Sequence, residues 1–271
     1  MSLEDKFDLT GRTAIVTGAA GLLGREFVRT LAEAGAKVIA ADVDHAGAEA
    51  VVADLARAGL TGRAVPLDLR SPGSVRNCVG AALDFGGLEI LVNSAAMDPK
   101  FDSSGSGQHS SSFEDFPLEA WNQALEVNLT GMFLACQAAA RPMREQGRGS
   151  IINICSTYGL VGPDQRIYHR SGEPTRYKPV YYSVTKAGVL GLTRYLATYF
   201  AGTNIRVNAL TPGGVFNDHD DEFVRQYSSR TVLGRMARKD EMNGALLFLA
   251  SDASSYMTGS NLVVDGGWTA W

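Results

Sequence analysis

The sequence predicts a doubly wound α/β fold, a mostly seven-stranded parallel sheet in a single domain spanning residues 1–271. Short apolar segments recur along the chain, helix-like stretches separate them, and neither a fixed-period repeat nor an interdomain linker breaks the series. The apolar segments are TAIVTG (13–18), KVIAAD (37–42), RAVPLD (63–68), EILVNSA (89–95), SIINICS (150–156), IRVNAL (205–210) and NLVVDGG (261–267). None alternates cleanly with a two-residue period, as expected of strands covered on both faces. LLGREFVRTLAEAG reads as a helix stopped by Gly35, and HAGAEAVVADLARAG as one stopped by Gly59.

Composition narrows the function. The chain is 45% hydrophobic and 20% charged, and its net charge of −4 argues against a nucleic-acid partner. No apolar run approaches the roughly 20 residues that span a bilayer. MSLEDKFDLTGR lacks the apolar core of a signal peptide, so a cytoplasmic protein with no membrane partner is expected. Cys78, Cys136 and Cys155 show no C-x-x-C spacing and read as buried thiols. His45, His109, His169 and His219 show no H-x-x-x-H pairing, and no metal site is expected. Asn128-Leu129-Thr130 matches a glycosylation sequon that has no use without secretion.

Two segments break the rhythm. DPKFDSSGSGQHSSS (98–112) is Ser/Gly-rich and predicts a mobile loop. LVGPDQRIYHRSGEPTRYKP (160–179) is a long polar loop with several cations. Both follow strand ends, where ligands bind in a sheet of this kind.

TGAAGLLG (Thr17 to Gly24) joins the first strand to the first long helix. Gly18, Gly21 and Gly24 permit positive φ, close approach to a pyrophosphate, and tight helix–strand packing. The helix start at Leu22 and Leu23 offers free N–H groups and a positive dipole end. A dinucleotide fits this context. Asp42, 18 residues after Gly24, can accept hydrogen bonds from the adenosine ribose and would repel a 2′-phosphate. Val43 rather than a cation follows it, which favours NAD over NADP. Asp68, followed by Leu69, is similarly placed to meet the adenine edge.

Tyr182 and Lys186 are four apart and share a helix face, whereas Tyr181 points away. A phenol with an ordinary pKa of about 10 is a poor base at neutral pH, and a nearby ammonium brings it down. Ser156, at a strand's carboxyl end, can hydrogen-bond an oxygen developing negative charge. Asn93-Ser94-Ala95-Ala96 ends the preceding strand, and Asn128 lies in a helical stretch.

Thr17–Gly24, Asp42, Asp68, Asn93–Ala96, Asn128, Ser156, Tyr182-x-x-x-Lys186, Pro212-Gly213 and Asp265-Gly266-Gly267 together resemble the short-chain dehydrogenase/reductase family over nearly the whole chain. The resemblance implies a Rossmann-type fold with Tyr182 as general acid/base. It implies that Lys186 binds the nicotinamide ribose and tunes Tyr182, that Ser156 orients the substrate carbinol or carbonyl, and that Asn128 holds a relay water. It adds Asn93, Ala95, Pro212, Gly213 and Val215 to the cofactor contacts. It also implies a homotetramer or homodimer, with helices around 114–146 and 181–201 as contact surfaces.

Some positions depart from the family pattern. The common short form has its second glycine at the position of Leu22, whereas this chain has Gly21. The resulting G-x-x-G-x-x-G looks like the branch of sugar-nucleotide epimerases and dehydratases. Only 85 residues follow Lys186, too few for that branch's added substrate domain, and they end in the short form's final strand. The usual Asn-Asn-Ala-Gly reads Asn-Ser-Ala-Ala, and Asn217 stands where Thr is frequent.

The gap from Ser156 to Tyr182 is 26 residues, about twice the family's usual length. Its Arg166, His169, Arg170, Arg176 and Lys178 outnumber Asp164 and Glu173, a balance suited to an anionic substrate group, with little apolar lining. Segments 160–180 and 212–238 are expected to cover the substrate; Arg225, Arg230 and Arg235 of the second could meet an anion or pair with neighbouring acids. The glycine pattern, the loop and the ending DGGWTAW also resemble a subgroup of flagellin-modification or surface-polysaccharide oxidoreductases. The expected activity is therefore NAD-dependent oxidation or reduction of a polar, sugar- or polyol-like molecule, phosphorylated or not. Two rivals stay open: an epimerase or dehydratase that retains its NAD, and a non-catalytic NAD-binding sensor.

Overall fold

The computed structural model describes residues 2–98, 112–170, 172 and 175–271, so most of the Ser/Gly-rich segment 98–112 lies outside the described residues. The strands are β1 (Thr13–Thr17), β2 (Lys37–Asp42), β3 (Gly62–Pro66), β4 (Ile90–Asn93), β5 (Gly149–Ile154), β6 (Ile205–Pro212) and β7 (Asn261–Val264). They form one seven-stranded sheet in the order β3-β2-β1-β4-β5-β6-β7. Every pairing is parallel. Besides the helices that cover the sheet, the chain forms α1 (Leu3–Phe7), α5 (Leu118–Leu125) and α8 (Asp221–Ser228).

The missing two-residue alternation has a direct cause, since both sheet faces are covered. Ile15 and Ile39 pack with α4 (Pro72–Phe85), α6 (Met132–Gln146) and α7 (Val180–Tyr199) through Val75, Cys136 and Val189. Ala14, Val16 and Val38 face the other way, onto α2 (Leu22–Glu33), α3 (His45–Arg57) and α9 (Asn243–Ala250) through Phe27, Leu31, Val51 and Leu246. Each fully buried Leu, Ile or Phe contributes about 1.5–3 kcal/mol over its exposed state. Helix ends follow local chemistry. Asp44 caps α3 by accepting from Gly47 N at 2.9 Å, and Ser71 caps α4 ahead of Pro72.

Strands three, four, five and seven stop two or three residues earlier than their apolar segments suggest. Leu67 N and Cys155 N still bond across the sheet, to Asp42 O and Leu210 O at 2.8 Å each. The chain then turns out of the ladder, which frees Asp68, Ser156 and Asp265 to project beyond the edge. The topology adds a crevice at that edge. From β1 the chain steps outward to β2 and β3, then returns to place β4 on β1's other side. The segments after β1 and β4 diverge there, at the switch point where α/β sheets bind ligands.

Candidate active site

The cradle is built where β1 turns into α2. Gly18 has φ +69°, and a Cβ there would lie 2.7 Å from Ala95 Cα. A Cβ on Gly24 would lie 1.9 Å from Gly18 O, so the helix packs on the turn only through glycine. Gly21 N donates to Gly18 O at 3.1 Å, and Gly21 starts α2 without any side-chain cap. The start of α2 at Leu22 and Leu23 therefore keeps its dipole end available to an anion. Asp42 is fixed beside the turn: Oδ2 accepts from Ala20 N at 2.8 Å and Oδ1 from Asp44 N at 2.9 Å. A backbone cradle too tight for side chains, an uncapped helix start and a fixed carboxylate fit a dinucleotide.

The other cofactor positions ring the same edge. Asp68 is gripped by Arg70 at 3.0 and 2.8 Å, and that hydrogen bonding holds its carboxyl below the usual range. Leu69 beside it is buried against Gly131. Thr17 Oγ1 accepts from Ser94 N at 3.1 Å and Ala95 N at 3.2 Å, which ties the two diverging strand ends together. Asn93 turns its side chain into the protein, with Nδ2 donating to Asn153 Oδ1 at 2.8 Å, so a cofactor contact there falls to the backbone. Pro212 ends β6, Gly213 N donates to Val264 O at 2.9 Å, and Val215 bridges to Ala237.

The catalytic candidates converge from three elements. Ser156 leaves β5 and opens the short 3-10 turn Thr157–Gly159, its Oγ accepting from Tyr158 N at 3.2 Å. A Cβ on Gly159 would stand 2.7 Å from the Lys186 carbonyl, and this bare backbone lets α7 settle on the turn. Tyr182, half-buried at the start of α7, faces the same turn, and Ser156 is among the groups that act on its phenol. Lys186 is buried, donates Nζ to Ile154 O at 2.9 Å, and stands 5.7 Å from the Tyr182 ring centre. Tyr181 packs on Phe116 instead, ring centres 5.8 Å apart. Asn128 sits in the π-helical turn Glu126–Gly131, a widened geometry frequent at functional sites. Its Oδ1 accepts from Met97 N at 2.6 Å, and its Nδ2 donates to Met97 O at 3.1 Å and Thr185 Oγ1 at 3.4 Å. The side chain thus clips the segment after β4 to α7.

The electrostatics are less simple than one ammonium lowering one phenol. Burial first, and then the Asp98 carboxylate, hold Tyr182 above the ordinary phenol range; the Ser156 hydroxyl pulls it back. Burial also lowers Lys186.

The cations of segment 160–180 are distributed rather than gathered. Arg166 pairs with Asp164 at 2.8 Å, and Arg230 joins the same carboxylate at 2.6 Å. Arg170 grips Asp220 at 2.9 and 2.8 Å, joining segment 160–180 to 212–238. His169 stands edge-on to Tyr177, and Arg176 is half-buried. Arg225 pairs with Glu222, and Arg235 with Glu241 at 2.6 Å. It is Lys178 that reaches Tyr182, with Nζ 4.1 Å from the ring centre and 2.5 Å from Asp98 Oδ1.

The expectation of little apolar lining is corrected by the same segment. The turn Gln165–Tyr168 leaves Arg166 outside and buries Ile167 and Tyr168. Tyr168 OH donates to Tyr158 OH at 2.9 Å, and Tyr158 stands edge-on to both Tyr182 and Trp268, 6.4 Å from each. Trp268 stacks on Tyr227 at 4.2 Å. The sequence offered one hint of this wall, an aromatic directly after the terminal Asp-Gly-Gly; its partners are distant in the chain.

Among the described residues, no helix is long and apolar enough to cross a membrane, and no group of three or more His, Cys, Asp or Glu could hold a metal ion. Cys78, Cys136 and Cys155 are buried free thiols, the first two pushed up to about 12 by burial.

Comparison with known proteins agrees with this architecture. The family model described as Enoyl-(Acyl carrier protein) reductase matches residues 18–269. The chain is 39% identical over 263 residues to a 3-alpha-(or 20-beta)-hydroxysteroid dehydrogenase of Mycobacterium bovis, covering 97% of this chain and 91% of that one. It is similar to a short-chain type dehydrogenase/reductase from Mycobacterium marinum, with a TM-score of 0.86, 34% identity and full coverage of both chains. A gluconate 5-dehydrogenase from Burkholderia cenocepacia, in complex with NADP and tartrate, gives a TM-score of 0.85 at 31% identity, again with full coverage of both. The chain belongs to the short-chain dehydrogenase/reductase family. These relatives support an oxidoreductase that acts on alcohols with a nicotinamide cofactor.

Proposed function

We propose that the protein is an NAD-dependent dehydrogenase/reductase that moves a hydride between nicotinamide and a secondary alcohol or ketone of a polar, sugar- or polyol-like molecule. The observation that carries this reading is the Tyr182 phenol, influenced by Ser156 and one helical turn from buried Lys186, on the same edge as the glycine cradle. When bound, the dinucleotide supplies the hydride acceptor or donor. Tyr182 takes the carbinol proton in oxidation and returns it in reduction. Ser156 donates to the substrate oxygen as its charge develops. Lys186 has further N–H donors beyond its bond to Ile154 O, for the ribose and for the phenolate charge. Asn128 holds the segment after β4 in register with α7.

Asp42 supports NAD over NADP, because its carboxylate stands fixed where a 2′-phosphate would meet like charge. The Lys178–Asp98 pair beside the phenol favours a substrate rich in hydroxyls, with a donor and an acceptor for each to meet. Arg166 and Arg170 are engaged by Asp164 and Asp220, so a neutral polyol is better supported than a phosphorylated one. Exposed Phe133 on α6 and Tyr195 and Tyr199 on α7 support self-association.

The test is reduced-nicotinamide absorbance with NAD or NADP against neutral polyols, their phosphates and a hydroxysteroid. The expected result is NAD-dependent turnover of neutral polyols. Turnover confined to the steroid overturns the substrate class, and a tightly retained cofactor without net redox favours the epimerase reading. Tyr182→Phe should lower turnover by about 10²–10⁴-fold with NAD binding nearly unchanged. Full activity in that variant would sink the acid/base assignment.

A further inference from the structure

The ammonium nearest the ring of Tyr182 comes from outside the Tyr182-x-x-x-Lys186 motif. Lys178 Nζ lies 4.1 Å from the Tyr182 ring centre, against 5.7 Å for Lys186. Lys178 is held firmly: its N donates to Gln165 Oε1 at 2.8 Å, Gln165 Nε2 donates back to its carbonyl at 3.4 Å, and Pro179 follows. The side chain is only 9% exposed, whereas that of its partner Asp98 is 54% exposed. Solvent therefore screens the carboxylate more than the ammonium, while Asp98 still opposes negative charge on the phenol.

We propose that Lys178, anchored by Asp98 against the ring of Tyr182, is a positioning residue that stabilises the phenolate alongside Lys186, with Asp98 as the counterion that limits its effect. This rests on Tyr182 being the acid/base. An opposite charge at about 4–6 Å favours the ionised form, and removing its counterion strengthens that influence. The other groups facing the phenol are Cys155 and Ser156 after β5, Tyr158 and Tyr168 from the aromatic wall, and Lys186 on its own helix. To this set the long loop adds Lys178, and the segment after β4 adds its partner Asp98.

Opposite effects from the two members separate this role from a merely structural one. The probe is the Cζ carbon resonance of Tyr182 in tyrosine-labelled protein saturated with NAD, assigned by its loss in Tyr182→Phe. Lys178→Met should move the phenol titration to higher pH and Asp98→Asn to lower pH, each by about one to three pH units. Lys178→Arg should titrate close to the parent. The double variant, which buries no lone charge and guards against a fold lost in Lys178→Met, should fall between the two single variants. A phenol that titrates at the same pH in both single variants, moves the same way in both, or titrates in none overturns the proposal. Wild-type turnover in Tyr182→Phe would instead remove the acid/base reading while leaving this titration order intact, so the two failures are distinguishable.

Discussion

The cofactor cradle draws mainly on one stretch of chain, Thr17 to Asp42, closed by Ala95 against Gly18, whereas the surroundings of Tyr182 draw on Asp98, Ser156, Tyr158, Lys178 and Trp268. In the cradle the determining property is backbone shape: glycine at positive φ, glycine under a helix, and one carboxylate holding Ala20 N. Around Tyr182 the determining properties are side-chain packing and charge, brought together by α7, the 160–180 segment and the C-terminal turn. The first region can be specified locally. The second exists only after the sheet has assembled.

That contrast can be broken at either end. Trp268→Ala removes a buried ring stacked on Tyr227 and edge-on to Tyr158. It should cost about 3–5 kcal/mol in denaturant unfolding and raise KM while NAD affinity stays near the parent's. An equal loss of NAD affinity would show that the two regions are not separable. Gly24→Ala is the converse. Its Cβ would overlap Gly18 O, so we expect a smaller stability loss, about 1–3 kcal/mol, with NAD affinity reduced at least tenfold by titration calorimetry. Unchanged affinity there would disprove the cradle.

The smallest effect belongs to the surface ties. Asp164 sits well below the usual carboxylate range because Arg166, and then Arg230, hydrogen-bond to it. A lowered carboxyl stabilises the fold above its unfolded value of about 3.9 and loses that contribution as pH falls. Asp164→Asn should therefore lower stability by about 1 kcal/mol at pH 7, and the gap to the parent should shrink below about pH 4 in thermal melts. A gap that widens in acid would contradict this sign.

Much of the fold was legible because its signals are short-range. Gly35 and Gly59 stop their helices at positive φ, and the seven apolar segments became the seven strands. Strand ends were less legible, since Asp68 and Ser156 leave the ladder only because of where the neighbouring strand stops. The tight-turn glycines and Asp42 sit together, as the strand–turn–helix context implied. The placement of the loop cations was not legible. Arg166 pairs within its own turn, but Arg170 with Asp220 and Arg230 with Asp164 meet only because segment 212–238 folds across, and Lys178 found Tyr182 through Gln165 and Asp98.

The sequence by itself determined the alternating α/β order, the glycine turn and the Tyr182–Lys186 spacing, because these depend on backbone freedom and helical period within one or two elements. Tertiary structure alone decided which cation faces the phenol, that burial raises rather than lowers it, and that aromatic rings wall the site. Those properties depend on distance and dielectric between residues far apart in the chain. No local pattern encodes them.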